Sequence, residues 1–67
     1  MNNKPNLLKN WTIERWGSGV VVIGKIYNDT KNRFADGTSI HTSKLTHCDF
    51  ANGVIETLNS TYNLDME

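Results

Sequence analysis

The sequence predicts an all-β fold, a single small curled antiparallel sheet or barrel of about five to six short strands with β-hairpins and a C-terminal meander. Three observations predict it. Thr, Val, Ile and aromatic residues fill the middle of the chain while Ala is scarce. Asn, Asp and Gly interrupt the apolar runs at short intervals. The whole chain is 67 residues, too few for two stacked open sheets.

Residues 1–10 are polar, contain Pro5, and read as a flexible N-terminal leader in which Leu7-Leu8 docks loosely; residues 11–67 form the β domain. The first hairpin runs from Trp11 to Trp16, turns at Gly17-Ser18-Gly19, and returns from Val20 towards Asn28. A three-residue loop there pairs Trp16 with Val20 and Glu14 with Val22. Val20-Val21-Val22-Ile23 is apolar on both faces, which suits a central strand covered from both sides. Gly24, inside that strand, points to a bulge or sharp bend. Residues 29–33 make a polar loop whose end Phe34 anchors; Asp36-Gly37 turns the chain, and residues 38–44 continue as a strand with Ile40 inward.

Asn52-Gly53 is the favoured pair for a two-residue hairpin turn, since both positions take positive φ. It places Phe50 opposite Ile55, Asp49 opposite Glu56 and Cys48 opposite Thr57. A second two-residue turn at Asn59-Ser60 places Thr57 opposite Tyr62 and Ile55 opposite Leu64. Both turns gather Cys48, Phe50, Ile55, Thr57, Tyr62 and Leu64 on one apolar face. On this reading Cys48 is a buried, structural thiol, and Asp49 and Glu56 are like charges facing each other on the opposite side.

Composition narrows function mainly by exclusion. The longest apolar run is far below the roughly 20 residues of a membrane helix, and the first residues lack an apolar signal core, so a cytoplasmic protein with no membrane partner is expected. One cysteine forms no internal disulfide, so a core this small gains support from self-association, and a homo-oligomer is expected. Residues 1–45 carry all seven bases against three acids, +4, and residues 46–67 carry four acids and no base, −4. Such asymmetry can mark a nucleic-acid or membrane partner, or two halves that attract each other within the fold or across a dimer; the dispersed bases favour a solvated mixed surface.

The metal-type residues are His41, His47, Cys48 and Asp49. Zinc takes four N or S ligands, yet one thiolate is present and His47 and Cys48, being neighbours on a strand, point to opposite faces. No metal and no cofactor are expected. The same alternation keeps His47 from acting as base for Cys48, and no carboxylate is placed to orient His41, so no enzymatic activity is expected.

The segment 27–44 concentrates hydroxyls, amides, bases and aromatics on one loop and its following strand, as binding surfaces carried by a rigid sheet do. Its candidate ligand- or partner-binding residues are Tyr27, Asn28, Arg33, Asp36, His41, Thr42, Ser43 and Lys44. Arg33 and Lys44 are the anion contacts, Thr42 or Ser43 adds a hydroxyl, and one of that neighbouring pair faces outward. The order Gly24-x-Ile26-Tyr27-Asn28, then Phe34-x-Asp36-Gly37-Thr38-x-Ile40-x-Thr42-Ser43, then Thr57-x-Asn59-x-x-Tyr62-x-Leu64 resembles short accessory proteins of phage and prophage genomes. The resemblance implies a host-cytoplasm setting and a non-enzymatic, anti-defence role, through binding a host protein or sequestering a nucleotide-like signal. The alternative is a small barrel that binds single-stranded nucleic acid, stacking bases on Trp11, Trp16, Tyr27 or Phe34 beside Lys25, Lys31, Arg33 and Lys44.

Overall fold

The computed structural model describes residues 4–66. They form one six-stranded sheet: β1 (Leu7–Trp16), β2 (Gly19–Tyr27), β3 (Thr38–His41), β4 (Leu45–Asp49), β5 (Val54–Thr57) and β6 (Thr61–Leu64), with no helix among the described residues. The spatial order is β3-β2-β1-β6-β5-β4, so the two edge strands are consecutive in the chain. Curling brings β4 close to β2, but no ladder joins them and the sheet is not closed into a barrel. All neighbours are antiparallel except β1 and β6, which run parallel through Leu7 opposite Asn63 and Leu8 opposite Leu64.

That parallel pair overturns the expectation of a leader through residue 10. Leu7 and Leu8 begin the central strand and are buried, and Leu8 packs with Val22, Ile26, Ile40, Ile55, Tyr62 and Leu64 in the main core. Neighbouring side chains on a strand point to opposite faces. Leu7, with Val21, is therefore buried outside that cluster, and both faces of the central strands are covered there. Asn6, at φ 51°, shapes the entry: its N–H donates to the Asn28 carbonyl (2.9 Å) and its carbonyl accepts the Asn63 N–H (2.9 Å). Asparagine tolerates this left-handed backbone better than other non-glycine residues.

The first hairpin closes with two loop residues rather than three. Trp16 stands opposite Gly19, and Gly17 takes φ +60° at the first turn position, where the favoured hairpin turns accept glycine. The register is one residue from the expected one, so Ile13, not Glu14, faces Val22. The irregularity anticipated at Gly24 lies across from it, in β1 between Lys9 and Thr12, where Asn10 takes φ 53°. A Cβ on Gly24 would come 3.1 Å from the Lys9 carbonyl oxygen and from Trp11 Cβ, so glycine is what lets the bulged strand lie close.

The C-terminal meander forms, with both registers moved by two residues. Cys48 faces Ile55 and Asp49 faces Val54; Ile55 faces Tyr62 and Glu56 faces Thr61. A two-residue slip preserves the face of every side chain, and Ile55, Thr57, Tyr62 and Leu64 are all buried as expected. The longer turns have local causes. Asp49 accepts the Asn52 backbone N–H (3.3 Å) and side-chain Nδ2–H (2.9 Å), closing a four-residue loop in which only Gly53 has positive φ, +67°. Thr57 Oγ1 accepts the N–H groups of Asn59 and Ser60, both at 3.2 Å, in the second loop.

Two expectations fall with that register and with the strand order. Asp49 and Glu56 are not opposite; His47 faces Glu56 instead. Cys48 and Phe50 are exposed, because β4 is an edge strand with a neighbour on one side only and Phe50 has moved into the loop, where it stacks on Trp11 at 6.2 Å between ring centres. No helix among the described residues is long and apolar enough to cross a membrane.

Candidate functional site

Segment 27–44 divides in space. Its first part is tied to the start of β1 and to β6, and its second part reaches the β1–β2 turn.

In the first part the organising group is Asp29, 7% exposed. Its carboxylate accepts the backbone N–H of Arg33 (2.7 Å), Phe34 (3.1 Å) and Lys31 (3.2 Å), and pairs with the Arg33 guanidinium at 3.4 Å. Burial pushes the Asp29 carboxyl up, but the Arg33 guanidinium and the backbone N–H groups of Arg33 and Lys31 together outweigh it. The carboxyl is held below its ordinary value. The Tyr62 hydroxyl and then the Asp29 carboxylate hold the Arg33 proton more firmly than usual. Arg33 thus closes the loop on Asp29 through both its backbone N–H and its guanidinium. Phe34 does not anchor the loop as expected; it is exposed, with the Arg33 guanidinium 5.4 Å from its ring centre.

Tyr27, Asn28 and Asp36 share the same end of the sheet. The Lys9 ammonium lies 5.0 Å over the Tyr27 ring. Asn28, at φ 58°, donates its N–H to Asp36 Oδ1 (2.8 Å) and its Nδ2–H to the Lys4 carbonyl (3.3 Å). Asn6 Oδ1 accepts the Thr30 N–H at 3.0 Å, so residues 28–36 are fastened to the chain start by several polar contacts.

In the second part, Thr42 and Ser43 separate as alternation requires: Ser43 is exposed and Thr42 is 1% exposed. Thr42 Oγ1 accepts the Val22 N–H (3.1 Å) and donates to the Ser43 carbonyl (2.8 Å), while the Thr42 N–H donates to the Val22 carbonyl (2.9 Å), so the β2–β3 pairing continues one residue further with the hydroxyl standing in for one backbone acceptor. His41 packs against Trp16 at 4.6 Å between ring centres with the planes 40° apart. Lys44 lays its alkyl stem over Gly19, where an added Cβ would come 2.6 Å from Lys44 Cδ, and Lys44 Nζ approaches Ser18 Oγ at 3.4 Å.

The surface left open lies between the two parts. Lys31 Nζ donates to the Asn59 carbonyl at 2.7 Å, which draws the 29–36 loop onto the β5–β6 loop. Beside it Ser43, Lys44, Leu45, Thr46, Leu58 and Asn59 line a cleft of about 460 Å³. Leu58, 89% exposed, stands at this cleft. Sequence reasoning named Ser43 and Lys44 as binding residues but not Leu58 and Asn59: the expected register puts Asn59 in the turn and Leu58 opposite Thr61, whereas the loop spans residues 58–60. The cleft combines the apolar Leu45 and Leu58, the Ser43 and Thr46 hydroxyls and Lys44, with Lys31 held beside it by Asn59, a chemistry suited to acidic and apolar groups together. The chain matches no protein-family model, no curated protein and no solved structure in the comparisons made with each.

Proposed function

We propose that the protein is a non-enzymatic binding module that engages a partner protein through the cleft between residues 43–46 and 58–59. The observation that carries this reading is Leu58, almost wholly exposed beside Lys44 and next to the Lys31–Asn59 contact. A lone exposed leucine is ordinary; one set on a cleft with apolar Leu45 and flanked by cations offers an anchor and a charge preference together. The partner surface that fits is an apolar pocket or ridge bordered by carboxylates. The resemblance to phage accessory proteins supports a host protein in the host cytoplasm as that partner, with an anti-defence outcome. A nucleotide-like signal is the small ligand that the same cations and hydroxyls accommodate.

The experiment is capture of partners from the native host with tagged wild type and with Leu58→Asp, followed by titration of the purified partner. Leu58→Asp is expected to weaken binding at least about tenfold with an unchanged melting temperature, since the side chain is outside the core. Equal binding by the two proteins rejects the cleft as the site.

Single-stranded nucleic acid is the second reading, favoured by exposed aromatic rings beside bases: Phe34 under Arg33, and Trp16 against His41. Anisotropy titration with an oligonucleotide separates the two, because phosphate binding falls steeply as salt rises.

A further inference from the structure

Asn52 is the one asparagine of the chain that glycine follows. Such a pair is open to an internal reaction, in which the backbone nitrogen of the second residue attacks the side-chain amide carbon of the first. The two groups sit on neighbouring residues, so the step is intramolecular, and glycine has no Cβ to obstruct it. Asn52 is exposed in the β4–β5 loop, whereas Gly53 is buried. Asn52 Nδ2–H donates to Asp49 Oδ2 (2.9 Å) and the Asn52 backbone N–H to Asp49 Oδ1 (3.3 Å), so one carboxylate grips the amide from two sides. The Gly53 N–H donates to the Phe50 carbonyl (3.3 Å), and the Gly53 carbonyl accepts the Leu64 N–H (2.7 Å), which ties Gly53 to β6. Ring closure needs the Gly53 nitrogen without its proton and the Asn52 amide turned onto it, and each change breaks one of these contacts. We propose that Asn52–Gly53 is a deamidation site that the Asp49 carboxylate keeps latent, and that its conversion opens the β4–β5 loop.

The Gly53 nitrogen gives its proton to water or hydroxide and bonds to Asn52 Cγ. The Cγ–Nδ2 bond breaks, and Nδ2 takes up a proton from water and leaves as ammonia. One further water opens the cyclic imide at either carbonyl, giving aspartate or isoaspartate. Either product removes the donor at residue 52 and sets a second carboxylate against Asp49, where like charges repel. Isoaspartate also lengthens the main chain by one carbon just before Gly53, which disturbs the Gly53–Leu64 contact.

The site lies at the other end of β5 from the Leu58 cleft and does not depend on it. The full chain is held in mildly alkaline buffer, with and without urea, and followed by peptide mapping and isoaspartyl methylation. Product is expected at residue 52 ahead of every other asparagine, at least about tenfold more slowly in the native protein than in urea, because reaction waits on local opening. Asp49→Ala should lose most of that protection while reacting at the wild-type rate in urea; Asp49→Asn, which keeps an acceptor oxygen, should stay close to wild type. Asn52→Asp, one of the two products, should speed amide exchange at Leu64 and leave Val22 unchanged. No product at residue 52 in urea overturns the site. A native rate equal to the urea rate, or native Asp49→Ala as slow as wild type, overturns the role of Asp49. Unaltered exchange at Leu64 in Asn52→Asp overturns the opening of the loop.

Discussion

The Asp29 carboxylate accepts the Arg33 backbone N–H at 2.7 Å and pairs with the same residue's guanidinium at 3.4 Å, so a single buried acid determines the shape of the loop after β2. Arg33 reads from the sequence as an anion-binding residue; in the structure its partly exposed guanidinium already has the buried Asp29 carboxylate as one partner.

Removing the acid should unfasten the loop. Asp29→Ala leaves the N–H groups of Lys31, Arg33 and Phe34 without their acceptor, and a loss of about 2 kcal/mol is expected by chemical denaturation. The pH dependence follows from the lowered carboxyl. Its stabilisation is fully present above the unfolded value, near about 3.9, and is lost as pH falls through the lower folded value. Asp49 is also held low, chiefly by the Asn52 side chain, so Asp29→Ala should reduce the acid-limb slope of stability without abolishing it. An unchanged acid limb would count against this role.

Arg33→Ala should lower the melting temperature by a few degrees, roughly the effect of losing one partly exposed charged hydrogen bond in a domain of this size. Calorimetry of the variant checks it. A variant that melts with the wild type would restore Arg33 as a residue kept free for a ligand.

Thr42→Val keeps the shape of the side chain and removes the oxygen that accepts the Val22 N–H. The stranded donor sits at a fully buried strand residue, so about 1–3 kcal/mol should be lost. Amide exchange at Val22 should accelerate more than that at Ile26, whose pairing with Thr38 is untouched. Equal exchange at both positions would refute the assignment.

Gly53→Val should cost on the order of 1–2 kcal/mol, because Gly53 has φ +67° and a Cβ there would come 3.0 Å from Met66 Cγ and 3.2 Å from the Leu64 carbonyl oxygen. Denaturant unfolding measures it. Since Gly53 and Leu58 lie at opposite ends of β5, partner binding by the folded variant should match the wild type.

Alternation along each strand is a local property, and it is what the sequence by itself determined. Ile40, Ile55, Thr57, Tyr62 and Leu64 are buried as their pattern requires, and they stay so even though the meander registers moved by two residues, because that slip leaves every face unchanged. The glycines at the hairpin turns were legible for the same reason: left-handed backbone has few tenants. Turn length was less legible, since Asp49 and Thr57 decide it with side-chain oxygens that compete with the strand ladder. Only tertiary structure decided which strands are central and which are edges. Leu7 and Leu8 are core because β6 returns from the far end of the chain to lie parallel beside them. Cys48 is exposed because nothing follows β4 in the sheet. The cleft at Leu58, by contrast, arises in the β4–β5 hairpin, where Leu45 faces Thr57, and the register of that hairpin brings residues 43–46 beside residues 58–59. Burial depends on which neighbours arrive, and strand order is a global choice that no local spacing encodes.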